Sequence, residues 1–198
     1  MKPAAIGLRM HSGWGVLVAA SESMEIIERR RIDLIGTDVY AQHRGNQPYH
    51  RAAEIGGQKA EKYIAEFTAA CDDAAHGVIG QAIADLKLRE YKVIAAGLIL
   101  ASGRKLPPLP QILASHPMIH TAEGELFRQI VRRACESLEL PVLGLPEREL
   151  EVFAKKRLGA SCEKVLREIA TAGKMLGAPW TADHKAAALA AVLALVDR

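Results

Sequence analysis

The chain has 198 residues, of which 49% are apolar, 25% charged and 5% aromatic. That is enough to bury a full core and too little for two large domains, and the apolar share excludes disorder, a collagen-like repeat and a disulfide-rich scaffold. With 26 basic and 23 acidic residues the net charge is +3, short of the basic excess typical of a non-specific nucleic-acid binder, although a local patch can hide inside it.

In chain order, residues 4–10 predict a first strand. Ser12 and Gly13 make a tight turn into a second at 14–20, and residues 21–23 turn into a third at 24–35. Such short turns force antiparallel pairing, so this is a meander. Residues 36–47 are polar and predict a loop ending at Pro48, which suits a first helical turn. An Ala-rich helical pattern runs from 49 to 89, with a break expected near Gly56-Gly57 or near His76-Gly77. Residues 93–101 (VIAAGLILA) read as a strand buried on both faces. A long Pro-containing loop is expected over 102–120, then a helix over 121–138 capped by Thr121. A short strand at 141–145 precedes helices at 147–158 and 161–176, and Thr181 caps a last helix running to Val196.

Three antiparallel strands, helix, strand, helix, strand and helices describe an α/β fold: a mixed five-stranded sheet, with the last two strands parallel and helices on both faces. This order resembles the ribonuclease H-like superfamily, in the topology of the Holliday-junction resolvases, across residues 1–198 as one domain. The resemblance implies a nuclease site with an Asp in the first strand, an acid at the end of the fourth and acids at the last helix, together clamping two Mg²⁺ ions. The resolvases read Gly-apolar-Asp in the first strand, whereas this chain has Gly7-Leu8-Arg9. An Arg carries no acceptor and cannot ligate a metal. The fourth strand carries no acid and runs into Ser102-Gly103-Arg104-Lys105, so only Asp183 keeps the acidic pattern. The resemblance therefore implies a degenerate site without the two-metal nuclease.

The crevice at the carboxyl ends of the parallel strands remains the expected binding place. Ser115 to Glu125 brings His116, His120 and Glu123 toward it. These can act as a base with its orienting partner, or they can be no more than a rigid Pro117 turn and acids near a helix start. His116, His120 and Glu123 are the residues that would hold a metal, but their spacing matches no recognised motif and none is expected. Arg9 lies in the central strand and needs a partner, with Asp183 and Glu123 as natural choices. His11 and Ser12 sit in the adjoining turn, and Arg104 lies at the root of the long loop. Glu28-Arg29-Arg30-Arg31 on the third strand can contact phosphate, but alternation divides the arginines between two faces and charged edges discourage aggregation. Arg44, Tyr49, His50 and Arg51 cluster at the first long helix start, where Tyr49 and His50 can equally pack on the sheet.

No P-loop, GxGxxG, GxSxG or HExxH motif occurs, and no cofactor is expected. The three cysteines, Cys71, Cys135 and Cys162, form no CxxC pair, which fits a reducing cytoplasm. Lys2 followed by residues 15–20 imitates a signal peptide, but Arg9 and His11 interrupt it, and no stretch reaches the ~20 apolar residues of a membrane span. The sequence leads first to a non-nuclease protein binding an anionic ligand, either a phosphate compound or nucleic acid, through Arg9, His11, Ser12, Arg104, His116, His120, Glu123 and Asp183. The alternatives are a metal-dependent or histidine-based hydrolase in the same crevice and a homo-oligomeric interaction scaffold, with no membrane partner.

Overall fold

The computed structural model describes residues 1–43, 45–101 and 105–197. In chain order its elements are β1 (Lys2–Met10), β2 (Trp14–Ser21), β3 (Ile26–Asp33), α1 (Thr37–His43), α2 (Pro48–Ile55), α3 (Gly57–Leu88), β4 (Tyr91–Leu100), α4 (Leu109–Leu113), α5 (His116–Ser137), β5 (Val142–Pro146), α6 (Leu150–Leu158), α7 (Cys162–Leu176) and α8 (Ala182–Val196). The five strands form one sheet in the order β3-β2-β1-β4-β5. β1 pairs antiparallel with β2 and parallel with β4, β2 pairs antiparallel with β3, and β4 pairs parallel with β5. This is the mixed sheet the sequence predicts.

Strand alternation divides the core. Ile6, Leu8 and Met10 of β1 and Leu17 of β2 face a layer that includes Phe67 of α3 and Phe127 of α5. Val16 and Val18 of β2, Ile99 of β4 and Leu145 of β5 face α6, α7 and α8. α8 is apolar almost all round, which suits a helix pressed directly on the sheet. Its approach depends on two glycines paired across β1 and β4, Gly7 and Gly97. A Cβ on Gly7 would lie 1.8 Å from the Ala187 carbonyl oxygen, and one on Gly97 would lie 2.2 Å from that of Ala190. The start of α8 is fixed by Thr181, whose backbone N–H donates to the His184 Nδ1 atom at 3.2 Å. Asp183, in the first turn, is thereby held beside the end of β1.

Several expectations are corrected. Residues 36–47 are not all loop, because α1 forms there and its buried His43 packs edge-on against Phe67. The helical break falls at Gly56, where φ is +69°, and α3 continues through His76 and Gly77 without interruption. The third strand is shorter than predicted, since Met24 adopts φ +65° in a turn before it. Most consequential is α5, which starts at His116 with Ser115 as N-cap and Pro117 in its first turn. Thr121 is therefore no cap, and its hydroxyl donates to the Pro117 carbonyl one turn back. Proline reads as a breaker in the middle of a segment but is well placed at a helix start. Among the described residues, no helix is long and apolar enough to cross a membrane.

Candidate functional site

Two polar clusters lie near the carboxyl end of the parallel strands. The first is built around Arg9, which alternation in β1 turns toward the α8 side of the sheet. Its guanidinium donates to the Glu147 Oε1 atom at 2.8 Å and lies 3.5 Å from the Asp183 Oδ1 atom. Asp183 also meets the His11 Nε2 atom at 2.9 Å, and the His11 ring stacks on Trp14 with centroids 4.4 Å apart. The predicted Arg9–Asp183 contact is present. The predicted Arg9–Glu123 contact is not, because Glu147 in the 3-10 turn after β5 takes that place. Ser12 lies in the β1–β2 turn beside His11. Arg104 and Arg44 lie outside the described residues.

The second cluster follows from where α5 starts. With helix from residue 116, His116 and His120 stand four residues apart on one face, their ring centroids 4.5 Å apart. The ring of His50, from α2, packs edge-on to both, at 5.3 Å from His116 and 4.8 Å from His120. One possible ligand atom from each of the three residues lies within 4.8 Å of the other two. Glu123 sits behind them, with only 2% of its surface exposed, in the apolar stripe of α5 that also holds Ile119, Ala122, Leu126 and Phe127. A carboxylate in such a stripe is costly unless hydrogen-bonded. Here it accepts from the His50 ring at Nδ1, at 2.9 Å, and more weakly from the His50 backbone N–H at 3.3 Å. Burial, with a further contribution from the Glu123 charge, holds the neighbouring Tyr49 hydroxyl above its ordinary pKa of 10.0.

A cleft of about 630 Å³ lies beside both clusters, lined by Ala101 after β4, Pro146 and Glu147 at the end of β5, and His120, Gly124 and Arg128 along α5. Burial pushes the Arg128 guanidinium below its ordinary value, and repulsion from Arg9 acts in the same sense while Glu125 and Glu147 oppose it. Among the described residues its nearest ion-pair partner, Glu125, is 3.8 Å away, and its buried Nε atom has no hydrogen-bond partner. Arg128 and Glu147 were not among the sequence candidates. Residues 120, 124 and 128 form an i, i+4, i+8 row, from which a helix beginning at Thr121 leaves out His120.

The other motifs resolve into structure. Arg29 caps the end of α7 by donating to the carbonyls of Leu176, Ala178 and Pro179, Arg30 pairs with Asp85, and Arg31 pairs with Asp33 over the Trp14 ring. Arg51 pairs with Glu54 on the surface. Burial pushes the Cys71 and Cys135 thiols up to about 12, too high for a reactive thiolate.

No protein-family model matches the chain, and no curated protein matches it in sequence. Solved structures do match. The chain is similar to Thermus thermophilus RuvC in complex with a Holliday-junction substrate, with TM-score 0.51, 9% identity, and 96% of this chain and 90% of that one covered. Another Thermus thermophilus RuvC structure matches with TM-score 0.43 and 11% identity over 96% and 92% of the two chains. Taken with the strand order, the first likeness establishes that this chain has the ribonuclease H-like fold in its resolvase arrangement.

Proposed function

We propose that this chain is a single-domain, non-nuclease member of the ribonuclease H-like fold that binds a phosphate-bearing ligand in the cleft at the ends of β4 and β5. The loss of nuclease chemistry is supported by one observation above others. Arg9 occupies the place of the first metal-binding acid, and it already engages Asp183, the one acid that keeps the pattern. Two Mg²⁺ ions need several free carboxylates there, and a guanidinium repels them.

The cleft's own charges nearly cancel, with Arg128 and Arg148 set against Glu147 and Glu149. Net charge therefore does not select the ligand. Arg128 does, since its fork is half-buried, loosely paired and repelled by Arg9, and a phosphate oxygen would relieve both deficits. His120 and Thr121 line the same cleft and can add hydrogen bonds. A reducing, cytoplasmic setting is consistent with three cysteines that are all buried and free.

The test is equilibrium binding at low ionic strength, in chelator, with three ligands: inorganic pyrophosphate, linear duplex DNA and a four-way DNA junction, the last because the matched RuvC was solved with such a substrate. We expect saturable binding that weakens with salt and falls about tenfold in Arg128→Met, which keeps the apolar stem. Preference among the arms identifies the source of the phosphate. Binding by none of the three, or binding indifferent to Arg128→Met, would overturn the proposal. The histidine cluster beside the cleft favours a second reading, a metal-dependent or histidine-based hydrolase at the same place. Its check is hydrolysis of the bound ligand in chelator-free buffer with and without added Zn²⁺, read as phosphate release from pyrophosphate or strand cleavage of DNA and lost in His120→Ala.

A further inference from the structure

We infer that His50, His116 and His120 form a binding site for one zinc-type transition-metal ion, with Glu123 orienting His50 from behind. The ligand set suits such an ion and no harder one. Imidazoles bind Zn²⁺, Co²⁺, Ni²⁺ and Cu²⁺, while Mg²⁺ and Ca²⁺ require oxygen ligands. The site is thus chemically unlike the carboxylate clamp that the fold's nucleases use.

The geometry is close to what a metal needs. The three candidate ligand atoms lie within 4.8 Å of one another. Around a tetrahedral ion at 2.0–2.1 Å per nitrogen they would stand roughly 3.4 Å apart. His116 and His120 are exposed, so small ring rotations can close that gap. Both come from one helix, four residues apart, and α2 brings the third, so the fold has already ordered most of the site.

Glu123 supplies the independent sign of a built site. Nothing in the packing of α5 calls for a carboxylate among Ala122, Leu126 and Phe127. Its two hydrogen bonds both go to His50, and the ring contact is to Nδ1. A ring that donates from Nδ1 presents an unprotonated Nε2 to a metal. A carboxylate behind a ligating imidazole is the usual means of fixing its tautomer and orientation. Three protein nitrogens would leave a fourth position open. Since His120 also lines the cleft, a divalent ion would add two positive charges beside it and favour an anion there.

The experiment uses the full-length chain, free of any affinity tag and stripped with chelator. Zn²⁺ is titrated by calorimetry in phosphate-free buffer, and Co²⁺ is followed by its visible absorption. We expect one ion per chain with micromolar or tighter affinity and the intense Co²⁺ bands of a four-coordinate site. His120→Ala and His50→Ala should each weaken binding at least 100-fold, and Glu123→Gln 10- to 100-fold. His76→Asn, on α3 and paired with Ser137, should leave it unchanged. Circular dichroism checks each variant's fold. If a variant at buried Glu123 or half-buried His50 fails to fold, the exposed pair His116→Ala and His120→Ala decides. No saturable one-to-one binding, or binding indifferent to His116→Ala and His120→Ala, would overturn the inference. The titration contains no phosphate compound and the ligand-binding test contains chelator, so either proposal can fail without the other.

Discussion

The two polar clusters differ in how fully their groups are satisfied. Around Arg9, the guanidinium meets two carboxylates, Glu147 at 2.8 Å and Asp183 at 3.5 Å, and the second Asp183 oxygen lies 2.9 Å from the His11 ring. Around His50, one acid is buried and hydrogen-bonded to His50, and three imidazoles lie clustered beyond it in near-perpendicular, edge-to-face contact. The first arrangement is complete as it stands and explains itself as a joint between β1, the β5–α6 turn and α8. The second brings three imidazoles together so that one possible ligand atom of each lies within 4.8 Å of the other two.

The most drastic way to break the comparison is to lift α8 off the sheet. Gly97→Ala places a methyl carbon 2.2 Å from the Ala190 carbonyl oxygen, a clash with backbone that no rotamer relieves. We expect a loss of about 3 kcal/mol or more, read by denaturant unfolding. A near-neutral result would mean that α8 is not seated as described, and the Arg9 cluster would lose its frame.

Next in size is Asp183→Asn. Arg9 keeps Glu147 but loses its second carboxylate, and His11 loses its charged partner. The groups are partly exposed, so the expected cost is about 1 kcal/mol, a fall of roughly 2–4 °C in Tm for a chain of this size. Zn²⁺ affinity should not change. A large change would mean that the two clusters are one site.

The smallest effect is a pH dependence at the foot of α8. Burial, aided by Arg29 and opposed by Asp183, holds the His184 imidazole below its ordinary 6.5. Its Nδ1 accepts the Thr181 backbone N–H, which requires that atom unprotonated. As pH falls through 6.5 the unfolded chain takes up the proton first. This contribution is therefore complete above 6.5 and declines below it. Tm measured from pH 7.5 down to 5 should show a component of this sign that disappears in His184→Asn. A component of opposite sign would mean that the charged imidazole is the one bound.

Most of the fold was legible in the sequence because sheet architecture is written in local pattern. The short turns at Ser12-Gly13 and after Ser21 could only join antiparallel strands, and the apolar run around Gly97 could only be an interior strand. The opposite faces of Arg29 and Arg30 followed from alternation alone. Arg9 in the central strand, and its contact with Asp183, were equally readable, because a charge in that place needs a partner and α8 had to come near.

What the sequence did not settle was the start of α5, and the candidate site turned on it. Pro117, expected as a rigid turn inside the loop over 102–120, instead opens a helix. A shift of five residues changes His116 and His120 from loop side chains into an i, i+4 pair. It also moves Glu123 from a first turn into a buried stripe and aligns His120, Gly124 and Arg128 along the cleft. Only the tertiary structure could add His50 to His120 across 70 residues of chain, or choose Glu147 over Glu123 for Arg9. Periodicity fixes which face of an element is buried. Which faces then meet depends on how α2 and α5 pack over the sheet, and that is decided by contacts between segments far apart in the chain.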